Sequence, residues 1–320
     1  MSLTLRAKQV IPAPFWGVLK GCKRLGIRSV QKTLSTVGLN TALKSDYYSP
    51  LPFRDELAAT EAQSNKPSSL TGIKYDLDAM ERMLERWAKS AFIEWNTLPP
   101  YAEARRAGFG PGYPEVDALI LYSFLRELKP RRYLEVGSGL STYYTTLAAE
   151  RNAAEGSPLA LECIEPYPYN KLTSVPGIRL QTKKVQDVPL SEFQKLTRGD
   201  VFFIDSSHAL KIGSDVAYLL LEVLPNLQPG VIIHIHDIPF PYNIPYPAKF
   251  WVFERNWPIL WNEAMAVQAF LAFNHNFTVD FSAPLLRHFR EQTLERLVPN
   301  YPKGLADDNC FSSLWLTKIA

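Results

Sequence analysis

Asp205, His208, His236 and Asp237 carry the densest chemistry in this chain. Three of its five histidines, His208, His234 and His236, fall within 29 residues and beside both acids. Each acid follows a short apolar run, Val201-Phe-Phe-Ile204 before Asp205 and Val231-Ile-Ile-His-Ile235 before His236-Asp237. Runs of that length and β-branched character read as strands, which puts each acid at a strand's carboxyl end. Adjacent parallel strands would set Asp205 and Asp237 side by side above the sheet, where two carboxylates repel unless they share a proton or hold a cation. Two chemistries follow. A divalent metal on Asp205, His236 and Asp237 would lower the pKa of a bound hydroxyl; Mg²⁺ suits the acids, whereas His236 suits Zn²⁺, Mn²⁺ or Fe²⁺ better. Without a metal, His208 or His236 would serve as general base beside Asp205. His234 lies deeper on the same strand face as His236 and reads as a core histidine bonded to a neighbouring helix.

A second constellation lies upstream. Tyr133-Leu-Glu-Val136 runs as a short strand into Gly137-Ser138-Gly139, and helix-forming residues follow at once. Glycine accepts positive φ there and lets a ligand approach the backbone, while the following helix offers its free N–H groups and the positive end of its dipole. Twenty-eight residues after Gly137, Leu159-Ala-Leu-Glu-Cys-Ile164 ends at Glu165, placed to accept both hydroxyls of a ribose. A third strand, 178–183, leads to Gln186-Asp187, where an adenine edge would be read. A nicotinamide dinucleotide fingerprint wants a third glycine where Thr142 stands, and its ribose acid nearer than Glu165. Glu135, two residues before Gly137, would instead answer the amino group of a methionine moiety.

These segments resemble a known family. Glu135-Val-Gly-Ser-Gly139 resembles the first motif of class I S-adenosylmethionine-dependent methyltransferases, and Ile164-Glu165 resembles their second. Phe203-Ile-Asp-Ser-Ser-His208 with Ile233-His-Ile-His-Asp237 is similar to the branch that groups with macrocin O-methyltransferases and cephalosporin-hydroxylase-like proteins. The resemblance covers roughly residues 110–318; Ser141 stands where the usual motif has its third glycine, and His236 where an acid is often found. It implies an α/β, Rossmann-like, seven-stranded and mostly parallel sheet, with helices on both faces and a C-terminal antiparallel hairpin. It also implies S-adenosylmethionine held by Glu135, Gly137, Ser138, Gly139, Glu165, Asp187 and Asp205, and a metal held by acids at the fourth and fifth strand ends. The expected reaction is O-methylation of a small-molecule or glycan-like hydroxyl. Two alternatives stand beside it: an NAD-dependent oxidoreductase, and a non-catalytic cofactor-binding protein in polysaccharide assembly.

The elements that must position these residues can be read in outline. Residues 1–72 form a basic extension and linker, 73–109 an accessory helical segment, and 110–320 the methyltransferase domain. The first 45 residues hold eight basic side chains and no acid, leaving 27 basic against 32 acidic residues in the remainder. That segment reads as an anchor on anionic lipid, as a presequence, or as an extension packed on the acidic body or a second subunit. The last is favoured, because proline and glycine are expected to interrupt any amphipathic helix there. Residues 61–72 read as linker, and a helix begins near Asp76 with Leu77, Met80, Met83, Leu84 and Trp87 at helical spacing. The run 108–114, Gly-Phe-Gly-Pro-Gly-Tyr-Pro, is either a lid over the cofactor bearing Tyr113 or a rigid turn into the helix 115–128. After strand five, the proline-rich stretch 239–247 and Trp251, Phe253, Trp257 and Trp261 would wall an acceptor pocket. A helix at 259–273 and strands at 276–280 and 312–317 complete the pattern.

Composition agrees with a folded enzyme: 46% hydrophobic and 21% charged residues, with a net charge of +3 that argues against a nucleic-acid partner. Cys22, Cys163 and Cys310 are scattered without metal or disulfide spacing, which points to a reducing cytoplasm. No apolar run reaches transmembrane length. Homo-oligomerisation is left open.

Overall fold

The computed structural model describes residues 13–37, 39, 48–110, 112–302 and 310–320, in two units, residues 1–59 and 60–320. The second unit is organised by seven strands: β1 (Arg132–Val136), β2 (Ala160–Ile164), β3 (Ile178–Gln181), β4 (Val201–Ile204), β5 (Ile232–Ile235), β6 (Phe277–Ser282) and β7 (Leu314–Lys318). They form one sheet in the order β3-β2-β1-β4-β5-β7-β6. The first five pair in parallel, and β7 runs antiparallel to both β5 and β6. Every residue of β4 and β5 is buried, as expected of parallel strands covered by helices on both faces. The last two strands are joined through the helix Ala283–Leu297 rather than by a tight turn.

One ladder step beyond the strands aligns the site. Gly137 N–H donates to Ile164 O, Glu165 N–H to Gln181 O, Asp205 N–H to Val136 O and His236 N–H to Ile204 O, each at 2.9–3.0 Å. Gly137, Glu165, Asp205 and His236 therefore stand in a row at the carboxyl edge, where open α/β sheets bind ligands.

The helix Leu77–Ala88 starts as the sequence suggests, with Asp76 capping the Ala79 N–H at 3.0 Å. Its Trp87 ring lies 4.9 Å from Phe124 and 5.2 Å from Phe281, and Phe124 stacks on Trp315 at 3.8 Å. The accessory segment 73–109 is thus part of the same core as the sheet. The helix Glu115–Leu128 matches its expected bounds, whereas the helix expected at 259–273 is Glu263–Leu271.

Two expectations for the first part of the chain change. Helix Arg54–Ser64 runs into the stretch 61–72 read as linker. A continuous helix, Ala13–Thr36, occupies a segment in which proline and glycine were expected to prevent one. Pro14 lies in its first turn, where the missing N–H has no intrahelical partner to lose, and glycine inside a helix weakens it without breaking it. The first twelve residues, with Arg6 and Lys8, and also Lys44, lie outside the described residues.

Candidate active site

The glycine turn is built from the inside out. Glu135 is fully buried and accepts hydrogen bonds from Ser141 Oγ, from Thr142 Oγ1 at 2.9 Å and from Cys163 Sγ at 3.6 Å. Thr142 Oγ1 in turn accepts the Gly139 N–H at 3.1 Å. Ser141, which replaces the third glycine of the family pattern, and its neighbour Thr142 thus pin the turn to the strand below it. Burial pushes the Glu135 carboxyl up to about 8, against the pull of Ser141 and Thr142. Glu135 therefore serves the turn from beneath, and the residues lining the neighbouring cavity do not include it.

Gly137 has φ +95°, and a Cβ there would sit 2.3 Å from the Asp205 carbonyl oxygen. Only glycine lets β1 and β4 end this close together. Gly137 borders a cavity of about 510 Å³ whose wall also contains Glu165, Val185, Gln186, Asp205 and Lys211. Glu165 is half-buried, accepts the Tyr167 N–H at 2.7 Å, and is raised by burial. Its carboxyl stands just past the end of β2, in this wall. Ser138 and Gly139 form the rest of the turn, and Asp187 is exposed at the end of the short turn Val185–Asp187, whose first two residues do line the cavity.

Asp205, His208 and Asp237 converge. His208 Nε2 lies 3.2 Å from Asp205 Oδ1 and 3.2 Å from Asp237 Oδ2, and one ligand atom from each residue falls within 4.8 Å of the others. His208 Nδ1 faces the buried Glu263 at 2.8 Å, the carboxylate–imidazole pairing that orients a metal-ligating ring. Both His208 (φ +57°) and Asp237 (φ +56°) hold left-handed backbone conformations uncommon for such residues. The sequence grouping Asp205–His236–Asp237 is therefore rearranged. His236 stays behind the acids, with Nε2 3.1 Å from buried Asp117 and Nδ1 3.6–3.7 Å from Asp237 and Asp205. Burial pulls both histidines down, but the surrounding carboxylates outweigh it and hold both above their ordinary range. Burial raises both Asp205 and Asp237, and the two imidazoles reverse this and hold them low.

Among the described residues His234 forms no bond to a helix. Neither of its ring nitrogens has a partner among the described residues; the ring stacks on Phe203 at 4.2 Å, and burial keeps it neutral. Tyr113 is buried with its ring 4.8 Å from His236, and it borders a second cavity rather than the one beside Gly137. Three supporting residues escaped the sequence reading. Asp117 accepts the Ser312 and Ser313 N–H groups at 2.9 and 3.2 Å; Glu263 orients His208; Ser312 Oγ donates to Asp237 at 2.9 Å. The available signal was an acid set among apolar residues, as in Val116-Asp117-Ala-Leu-Ile.

The strand order, glycine turn and second-strand acid define a Rossmann-like, nucleotide-cofactor class of enzyme. Residues 134–238 match the sequence model of a family described as a methyltransferase domain. Residues 134–238 are accordingly similar to a methyltransferase domain, which favours S-adenosylmethionine over the nicotinamide alternative. No curated protein matches the sequence. Among solved structures, the O-methyltransferase TomG from Streptomyces achromogenes, in complex with S-adenosylmethionine, is 15% identical, covering 78% of this chain and 92% of its own, with a TM-score of 0.40. A putative O-methyltransferase from Klebsiella pneumoniae is 14% identical, covering 74% and 100%, with a TM-score of 0.42. The O-methyltransferase from Bacillus cereus, in complex with S-adenosylhomocysteine, is 12% identical, covering 73% and 99%, with a TM-score of 0.42. At these scores the functional reading rests on this chain's own residues. No described helix is long and apolar enough to cross a membrane.

Proposed function

We propose that residues 110–320 form a methyltransferase that transfers a methyl group to a hydroxyl oxygen of a small or glycan-like acceptor, assisted by a divalent metal on Asp205, His208 and Asp237. One observation carries the metal assignment. Four carboxylates, Asp117, Asp205, Asp237 and Glu263, surround two imidazoles, His208 and His236, and leave a formal charge of −2 even with both rings protonated. Burial raises Glu263, which eases this deficit without removing it. A dication meets it, and a set of two carboxylates and one imidazole suits Mn²⁺, Fe²⁺ or Zn²⁺ as well as Mg²⁺.

Within this reading Gly137 and Glu165 hold the nucleoside side of S-adenosylmethionine, and Asp205 borders it. The bound metal supplies Lewis acidity that favours ionisation of a neighbouring hydroxyl. As the acceptor oxygen bonds the methyl carbon, the carbon–sulfur bond breaks, its electron pair stays on the neutral sulfur, and the hydroxyl proton passes to solvent. Glu263 and Asp117 hold His208 and His236 in place, so the acids keep their spacing through the reaction. His208 protonated between two carboxylates is a poor general base, which disfavours the metal-free route. The buried free thiol of Cys163 accords with a reducing, cytoplasmic setting.

Two titrations test this. S-adenosylmethionine is expected to bind the protein with an affinity on the order of micromolar, weakened in Glu165→Ala, with NAD as the non-binding comparison. Mn²⁺ added to EDTA-stripped protein is expected to bind once per chain and to lose that site in Asp237→Asn. Absence of Mn²⁺, Mg²⁺ and Zn²⁺ binding would overturn the metal assignment.

A further inference from the structure

A second cavity of about 470 Å³ shares no lining residue with the cofactor cavity, yet Asp237 borders it as Asp205 borders the first. The acid cluster therefore stands between two chambers, as a transferase with separate donor and acceptor sites requires. The second chamber is walled by the stretch after β5, including Tyr246, Trp251 and Trp261. Among the described residues its charged side chains other than Asp237 are both cationic, Arg105 and Arg255.

Arg255 is held in a particular way. Its guanidinium carbon lies 4.9 Å from the Trp251 ring centroid and 5.8 Å from that of Phe250, and among the described residues it makes no ion pair. A guanidinium stacked on an aromatic face keeps its N–H fork free at the edge, in the geometry that matches a carboxylate or phosphate. The chamber thus presents aromatic faces and, in Arg255, a guanidinium with no ion-pair partner among the described residues. A neutral acceptor closing over this wall would strip water from the Arg255 guanidinium with nothing in return.

We propose that the acceptor is an anionic ring compound, a hydroxylated sugar or aryl group bearing a carboxylate or phosphate. Its ring lies against Trp251 and Trp261, its reacting hydroxyl is directed to Asp237, and its anionic group is bound by Arg255, with Arg105 as the second cation of the chamber. The inference rests on the methyl-transfer reading above and narrows its substrate class.

The test works on an acceptor of unknown identity. A protein-free metabolite extract of the source cells is divided by anion exchange at neutral pH into retained and unretained fractions, and each is incubated with the full-length protein and methyl-labelled S-adenosylmethionine. Label is expected in the retained fraction. Arg255→Gln is expected to cut that transfer about 10- to 100-fold, mainly through KM for the retained material, with partial recovery in Arg255→Lys and unchanged S-adenosylmethionine affinity. Label confined to the unretained fraction overturns the inference and leaves methyl transfer standing. Label in the retained fraction that Arg255→Gln does not diminish overturns it as well, since the anion is then held elsewhere. No label in either fraction, from protein that binds S-adenosylmethionine, overturns the transfer reading and the inference with it. Phosphatase treatment of the retained fraction separates the two sources, since it removes a phosphate-bearing acceptor and spares a carboxylate.

Discussion

At the residue scale, the site spends stability on geometry. His208 and Asp237 both sit at φ near +57°, and such left-handed backbone costs on the order of 1–3 kcal/mol per residue outside glycine. The surroundings hold them there: the His208 carbonyl accepts the Asn262 and Glu263 N–H groups at 3.1 and 3.2 Å, and Ser312 Oγ holds Asp237. Glu263 then sets the ring of His208 through Nδ1. Glu263→Gln keeps shape and removes charge, so metal affinity is expected to fall about 10- to 100-fold while S-adenosylmethionine affinity stays within about twofold. Mn²⁺ and cofactor titrations of the same variant check this, and equal Mn²⁺ affinity in the variant and the parent would refute the role given to Glu263.

At the element scale, the glycine turn and the end of β4 form one unit. Gly137→Ala forces a Cβ to within 2.3 Å of the Asp205 carbonyl and demands φ +95° of an alanine. Loss of at least about 2 kcal/mol of stability is expected, with weakened S-adenosylmethionine binding, because Asp205 must move. Denaturant unfolding and calorimetry measure both. Much of this element was legible in the sequence. β1, β4 and β5 begin and end within one residue of the apolar runs that announced them, since buried parallel strands need continuous hydrophobic residues. The helix Ala13–Thr36 was not legible, because a proline at the first turn and a proline inside a helix look alike until the boundary is known.

At the scale of the whole molecule, the buried carboxyl of Glu135 couples stability to pH. Its folded pKa of about 8 stands above its ordinary 4.5, so the unfolded chain releases this proton first as pH rises. The contribution is fully present below pH 4.5 and is lost as pH climbs toward 8, by at most about 1.4 kcal/mol per pH unit. Glu135→Gln removes this dependence. The stability difference between variant and parent is therefore expected to shift in the variant's favour across that range, read from urea unfolding at several pH values. A constant difference would mean that Glu135 is ionised in the folded protein.

Taken alone, the sequence determined the ends of β1, β4 and β5, the glycine turn, the acid Glu165 after β2 and the pair Asp205 and Asp237, because each is written in a few contiguous residues. The tertiary structure decided which histidine joins the two acids. His236 shares a strand with Asp237 but is drawn back by Asp117, 119 positions earlier, while His208 is swung forward by Glu263, 55 positions later. Strand periodicity is local and survives in sequence. Proximity across such separations is set by which helix packs on which strand, and no spacing along the chain records it.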